Sequence, residues 1–280
     1  MPERVLVIGA TGLLGPYLVD SGKALGVAQG AARDTAELRC DITSKDDVWN
    51  VIRRVSPTVV ILAAALSDVD VCEGHPALAH AVNVEGVANV VSALQASARL
   101  VLISTDQAYA DATGPHEEAS AAPMNVYGRT KVEGEAHALR YPPSLVLRCN
   151  FFGPSRTAGR ESLSDFFERR LRAGEPIRAF RDVWFSPLHM ATVATILVDA
   201  VRSGLTGVFN VGSSGGTSKH EFCLMIAAHL GLDASKVEAV DSAALKGRAP
   251  RPRDMRLDVR RLEAALGRAM PTLEEEVRKL

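Results

Sequence analysis

The sequence is poor in cysteine, in net charge and in long apolar runs, and each shortage closes off a class of protein. Four cysteines, Cys40, Cys72, Cys149 and Cys223, lie far apart and form no C-x-x-C pair. That spacing argues against a structural zinc site or a disulfide framework and leaves reduced thiols as the simplest reading. No metal site is expected. With 32 Lys and Arg against 33 Asp and Glu, the formal charge is −1, so neither a nucleic-acid nor a membrane-surface role has electrostatic support. No apolar stretch approaches the ~18 residues needed to span a bilayer. The chain enters "RVLVIG" without a basic region, a signal-length apolar run or a cleavage site, which makes a cytoplasmic protein the expectation.

What is present is the composition of an ordinary globular protein, 47% hydrophobic and 23% charged over 280 residues. That length is enough for one large domain or two unequal ones. Short apolar runs alternate with amphipathic ones. Val5 to Ile8, Val59 to Leu62, Leu100 to Ser104 and Leu145 to Cys149 read as buried parallel strands. In "TSKDDVWNVIRRV", Val48, Ile52 and Val55 share a helix face, with Asp46 and Asp47 in the first turn. The alternation predicts an α/β fold with a doubly wound parallel (Rossmann) sheet, whose ligands bind at the carboxyl ends of the strands. Beyond Asn150 the rhythm changes. "SLSDFFERRLRAGEP" reads as a helix outside the sheet, "ATVATILVDAV" as a buried helix and "GVFNVG" as a further strand. "SKHEFCLMIAAHLG" opens with a capping box, Ser218 and Glu221, and the tail reads as a basic loop followed by two short helices. The expected division is a dinucleotide-binding domain over 1–150, with returning segments near 187–212. A smaller, partly helical substrate lobe would comprise 151–186 and 213–280.

"VLVIGATGLLG" puts Gly9, Gly12 and Gly15 between the first strand and a helix. A missing Cβ lets the chain turn tightly and lets backbone N–H groups approach a pyrophosphate at the helix N-terminus. Thr11, Leu13 and Leu14 complete that loop as cofactor contacts. The G-x-x-G-x-x-G spacing points to the short-chain dehydrogenase branch of dinucleotide-binding proteins. Arg33, at the end of the second strand, suits a 2′-phosphate and so NADPH, with NADH as the alternative; Asp34 follows it, and Arg33 could equally be an exposed cap. In "CDIT", Asp41 and Ile42 could border the adenine, or Asp41 could only start the next helix.

In "NVYGRTK", Tyr127 and Lys131 stand at i and i+4 on one helix face, about 6 Å apart along the axis. A free phenol has a pKa near 10. An adjacent ammonium and a positively charged nicotinamide would favour the phenolate and bring proton exchange into the physiological range. In the reducing direction Tyr127 would protonate a carbonyl oxygen while the reduced cofactor delivers hydride to its carbon. Lys131 would also hold the nicotinamide ribose, and Thr105 would hydrogen-bond the reacting oxygen. A surface Tyr and Lys on an amphipathic helix is the alternative.

With "GATGLLG", "DIT", "SDVDVCE", "AVNVEG", "ISTD", "NVYGRTK", "LRCNFFGP" and "RPRDMRLD" on view, the chain resembles the extended short-chain dehydrogenases/reductases, and within them the dTDP-4-dehydrorhamnose reductase group. The resemblance spans nearly the whole sequence. It implies reduction of the 4-keto group of a nucleotide-linked 6-deoxyhexose by Thr105, Tyr127 and Lys131, and a nucleotide-sugar substrate with Ser104, Asp106, Asn150 and Arg251 as contacts. A homodimer is the compatible assembly. The sequence also departs from the group. Leu62 stands where Asn is usual, leaving Ala63, Ala64 and Ala65 to line the cofactor. "STDQAYAD" replaces "STDYVFDG", and "CNFFGP" stands where a Ser-Trp pair is common. These changes fall near the expected substrate face, so the sugar need not be the rhamnose precursor.

Related sugar dehydratases carry an Asp–Glu pair after the Thr. Here Asp106 is followed by Gln107, which cannot ionise, so dehydration is disfavoured, and Asp106 orients a sugar hydroxyl or a turn. Lys246, Arg248, Arg251, Arg253 and Arg256 form a cationic run that either clamps a diphosphate, Arg251 foremost, or is a solvated face. His189 reads as a core histidine or a substrate contact, and Asn83 as a brace near the nicotinamide or between helix and strand. The rival readings are a nucleotide-sugar epimerase with retained NAD, which Arg33 disfavours, and a non-catalytic NADP-binding regulatory subunit, which the intact Thr105, Tyr127 and Lys131 set disfavours.

Overall fold

Runs such as "VLVI" and "VVIL" have no polar face, and they form strands covered on both sides by helices. The computed structural model describes residues 2–33, 38–245 and 247–280; Asp34 and Lys246, both marked above, lie outside the described residues. From the amino end the elements run β1 (Glu3–Ile8), α1 (Gly15–Gly22), β2 (Gly26–Ala32), β3 (Leu38–Arg39), α2 (Lys45–Val55), β4 (Val59–Leu62), α3 (Val69–Gly74), α4 (Pro76–His80), α5 (Gly86–Ala93), β5 (Arg99–Thr105), α6 (Val126–Leu139) and β6 (Ser144–Cys149). They continue with β7 (Phe151–Phe152), α7 (Leu163–Arg172), β8 (Ile177–Phe180), β9 (Trp184–Phe185), β10 (Leu188–His189), α8 (Met190–Arg202), β11 (Gly207–Val211), β12 (Thr217–Ser218), α9 (Lys219–Leu230), β13 (Val237–Val240), β14 (Asp254–Met255), α10 (Arg260–Leu266) and α11 (Leu273–Val277).

Seven strands form one parallel sheet in the order β11-β6-β5-β4-β1-β2-β3. The chain leaves β3 at one edge and re-enters at β4 on the other side of β1. That reversal opens a crevice beyond the carboxyl ends of β1 and β4. Alternate residues of each strand serve opposite faces. Val5, Val7, Val59 and Ile61 join a core with Leu18 of α1 and Ile196 of α8. Leu6, Ile8, Val60 and Leu62 join Val48 and Ile52 of α2 and Val90 of α5. A third core, with Phe152, Phe167, Phe185 and Phe222 at its centre, unites α7, β8, β9 and α9 away from the sheet.

The helix starts are written locally. Ser44 caps α2 by accepting the Asp47 N–H, with Asp46 and Asp47 in the first turn, and such a cap stabilises a helix by about 1 kcal/mol. Ser218 and Glu221 form a reciprocal capping box on α9, and Ser162 with Asp165 does the same on α7. No described helix is long and apolar enough to cross a membrane.

Candidate active site

The loop after β1 carries Gly9 in a left-handed conformation, φ +98°, and a Cβ there would fall 2.5 Å from the backbone nitrogen of Ala64. Only glycine fits where the turn passes the end of β4. The turn opens onto a cleft of about 550 Å³, in the size range of small-molecule sites. Gly9, Thr11, Gly12, Leu13, Leu14 and Gly15 line its floor; Arg33, Asp41 and Ile42 stand at one end; Ala63, Ala64 and Ala65 form a wall; Ser104, Tyr127 and Lys131 close the other end. The residues fit a dinucleotide: a glycine cradle at the start of α1, an apolar wall and a phenol–ammonium pair share one space.

Helix α6 brings the pair into position. Asn125 caps it by accepting the Gly128 N–H at 2.8 Å, while its amide nitrogen donates to the Gln107 side chain and to the Pro250 carbonyl, both at 2.9 Å. Gly128 is required by proximity, since a Cβ there would meet the Gln107 carbonyl oxygen at 2.2 Å. The helix is thereby pressed onto the end of β5. Tyr127 and Lys131 are both buried. The Lys131 ammonium donates to the Ile103 carbonyl at 2.8 Å, and burial lowers its pKa to about 8, against the pull of Glu135 and Cys149.

Tyr127 departs from expectation. Burial raises its phenol well above the ordinary value, a hydrogen bond with Thr105 works the other way, and Asp106, Cys149 and Cys72 reinforce the rise. Burial dominates here, and the Lys131 ammonium, engaged with the β5 main chain and itself desolvated, does not reverse it. The phenol therefore keeps its proton, the state a proton donor needs. Thr105, also buried, accepts the Gln107 N–H at 3.1 Å and is not among the residues that line the cleft.

The residues expected to face substrate are dispersed. Ser104 borders the cleft, but its hydroxyl donates to Glu135. Asp106 is 2% exposed and accepts the Asn150 amide at 2.5 Å; burial raises its pKa to about 6, with Asn150, Lys219 and Thr105 opposing. Asp106 and Asn150 thus bind each other outside the cleft lining. Arg251 does not reach the cleft. Its guanidinium forms a double hydrogen bond to Asp70 at 3.0 and 2.7 Å, and Asp70 also accepts the Ala249 N–H. These bonds, Arg251 first, hold the Asp70 carboxyl at about 2. The other described members of the cationic run are matched likewise: Arg248 with Asp70 at 3.8 Å, Arg253 with Asp111 at 3.1 Å and Arg256 with Asp254 at 2.6 Å.

At the β2 end of the cleft, Arg33 is exposed and 3.4 Å from Asp41. The Asp41 carboxyl is lowered chiefly by the Thr43 hydroxyl, which donates to it at 2.7 Å. Asn83 is a brace: it clasps the Leu66 main chain through both amide atoms and reaches Thr130 of α6. His189 is a core residue whose Nδ1 accepts the Ala191 N–H and whose ring lies edge-on to Tyr17 and Phe152.

Two features escaped the sequence reading. Glu135, one turn beyond Lys131, is clamped by Arg148 of β6 through contacts of 2.6, 2.9 and 3.2 Å, and Arg148 also reaches the Tyr109 hydroxyl at 3.1 Å. The available signal was the Arg inside the apolar run "LVLRC". Lys219, the first residue of α9, has its pKa lowered by burial and held up by Asp106. Nothing in its sequence context sets it apart from a solvated helix-start lysine. Among the described residues no group of three or more His, Cys, Asp or Glu side chains could hold a metal ion.

The fold and the cleft define a dinucleotide-binding α/β protein of the extended short-chain dehydrogenase/reductase kind. Over residues 3–280 the chain matches the family described as the RmlD substrate binding domain, and it belongs to that family. It is 32% identical, over 98% of its length and 96% of the relative's, to a probable low-salt glycan biosynthesis reductase of Haloferax volcanii. It is 30% identical to methionine adenosyltransferase 2 subunit beta of Danio rerio, covering 93% of this chain and 84% of the relative. The crystal structure of dTDP-4-dehydrorhamnose reductase from Bacillus anthracis in complex with NADP is similar at a TM-score of 0.91 and 26% identity, over 100% of this chain and 98% of that one.

Proposed function

We propose that the protein is an NAD(P)H-dependent reductase of a nucleotide-linked 4-keto-6-deoxy sugar, with NADPH preferred and Tyr127 as proton donor. One observation carries the reading: a single cleft is lined both by the glycine turn and by Tyr127 and Lys131. The similarity to named reductases supports the reaction class. In the same reading, 1–150 with the returning segment near 187–212 holds the dinucleotide, and 151–186 with 213–280 holds the sugar nucleotide.

When bound, the nicotinamide supplies hydride to the carbonyl carbon. The chain's own part is to hold and move a proton. Tyr127 keeps its proton because burial disfavours the phenolate, and it releases that proton to the carbonyl oxygen as negative charge builds there. Thr105 fixes the phenol's direction. Lys131, tied to the Ile103 carbonyl, remains cationic below about pH 8 and compensates the phenolate left behind. The reduction therefore slows as pH rises through about 8, when that charge is lost.

The test is loss of NADPH absorbance on addition of a dTDP-4-keto-6-deoxyhexose, extended to a panel of nucleotide sugars. Turnover with any of them supports the reading. A second reading, a dinucleotide-binding subunit without turnover, is favoured by the similarity to methionine adenosyltransferase 2 subunit beta. Tight cofactor binding with no NADPH loss across the panel would select it.

A further inference from the structure

A dinucleotide diphosphate carries two negative charges, and a helix N-terminus offers only about half a positive one. Side-chain cations are the usual complement. Among the described residues three line the cleft: Arg33, Lys131 and Arg160. Arg33 faces Asp41 and Lys131 is committed to the β5 main chain. Among the described residues, the Arg160 guanidinium makes no hydrogen bond or ion pair.

Arg160 is delivered by segment 154–160, between β7 and α7, which lies against the glycine turn and α1. The Tyr17 hydroxyl of α1 donates to the Pro154 carbonyl at 2.7 Å. Arg156 bonds Asp20 of α1 at 2.8 Å and covers the Tyr17 ring at 4.0 Å. The Thr157 hydroxyl points to the Gly12 carbonyl at 3.4 Å. Between those contacts the Ser155 N–H donates to Asp165 in the first turn of α7 at 3.1 Å, tying the segment to that helix as well. We infer that Arg160 is the side-chain cation for the cofactor diphosphate, and that segment 154–160 is the strap joining the second lobe to the bound dinucleotide. This rests on the dinucleotide reading of the cleft.

Calorimetric titration of wild-type protein, Arg160→Ala and Arg160→Lys with NADP+, NAD+ and adenosine 2′-monophosphate tests it. Arg160 is exposed, so the variants should keep the wild-type melting temperature. Arg160→Ala should weaken NADP+ and NAD+ alike by about tenfold, the size of one charge-assisted contact. Adenosine 2′-monophosphate, which lacks the diphosphate, should bind unchanged, and Arg160→Lys should recover part of the loss. Wild-type affinity of Arg160→Ala for both dinucleotides overturns the inference. A loss confined to NADP+ and adenosine 2′-monophosphate also overturns it, placing the guanidinium on the 2′-phosphate instead. Failure of the wild-type protein to bind either dinucleotide removes the cleft reading itself, and the inference with it.

Discussion

Among the described residues, the cleft around the glycine turn presents main chain, alanines and three cations with almost no carboxylate partners, Asp41 being the one acidic side chain that lines it. Around the loop 248–256, by contrast, Arg248, Arg251, Arg253 and Arg256 are all paired with carboxylates. The first region is arranged to receive charge from outside, and the second has already neutralised its own. Helix α6 repeats the contrast along its length, for Tyr127 and Lys131 face the cleft while Glu135, a turn further on, is sealed in an ion pair with Arg148. Density of arginine is therefore a poor guide to where an anion binds; what matters is whether a carboxylate got there first.

The comparison breaks most visibly at the sealed pair. Glu135→Gln strands the buried Arg148 charge and should cost about 3–5 kcal/mol in chemical denaturation, whereas Glu135→Leu with Arg148→Met, which removes both charges, should cost much less. Equal losses would mean that shape and not charge dominates there. Tyr127→Phe should lower turnover by about 100-fold or more while calorimetry shows unchanged cofactor affinity. A near-wild-type rate would remove the phenol from the chemistry.

Asp106→Asn should act on stability in the opposite sense. Burial pushes the folded carboxyl up to about 6, above the ordinary aspartate value of about 3.9, so the fold favours its protonated form. That contribution is fully present below the unfolded pKa and is lost as pH rises through about 6. Removing the ionisable group should stabilise the protein at neutral pH by up to roughly 3 kcal/mol, with the gain fading in thermal melts as pH falls through about 6 and gone below about pH 4. Arg251→Ala is the mildest change. It frees a surface pair worth about 1 kcal/mol or less and should leave KM for the nucleotide sugar within about twofold of wild type, since this contact supplies no binding. A large rise in KM would return Arg251 to the substrate site.

Legibility in the sequence followed the same divide. Gly9 is forced by a steric contact with the adjacent strand end, and such a requirement leaves a glycine at a fixed spacing after a strand. The Tyr127–Lys131 pair is equally readable, because i and i+4 share a helix face in any α-helix. The sheet was legible because strands covered on both faces have to be continuously apolar. The Arg251–Asp70 pair spans 181 residues, and no local pattern announces it. The Ser104–Glu135–Arg148 cluster joins a strand, a helix and another strand, and each member read alone is unremarkable. The direction of the Tyr127 shift was missed for a related reason, since spacing places Lys131 near the phenol but says nothing of how deeply both are buried.

The most direct measurement is transfer of label from NADPH carrying deuterium at C4 of the nicotinamide to a dTDP-4-keto-6-deoxyhexose, read by mass spectrometry of the sugar product. The account predicts one deuterium on the ring carbon of the new alcohol for each NADPH consumed. Bound NADPH that transfers no label to any nucleotide sugar offered would contradict it.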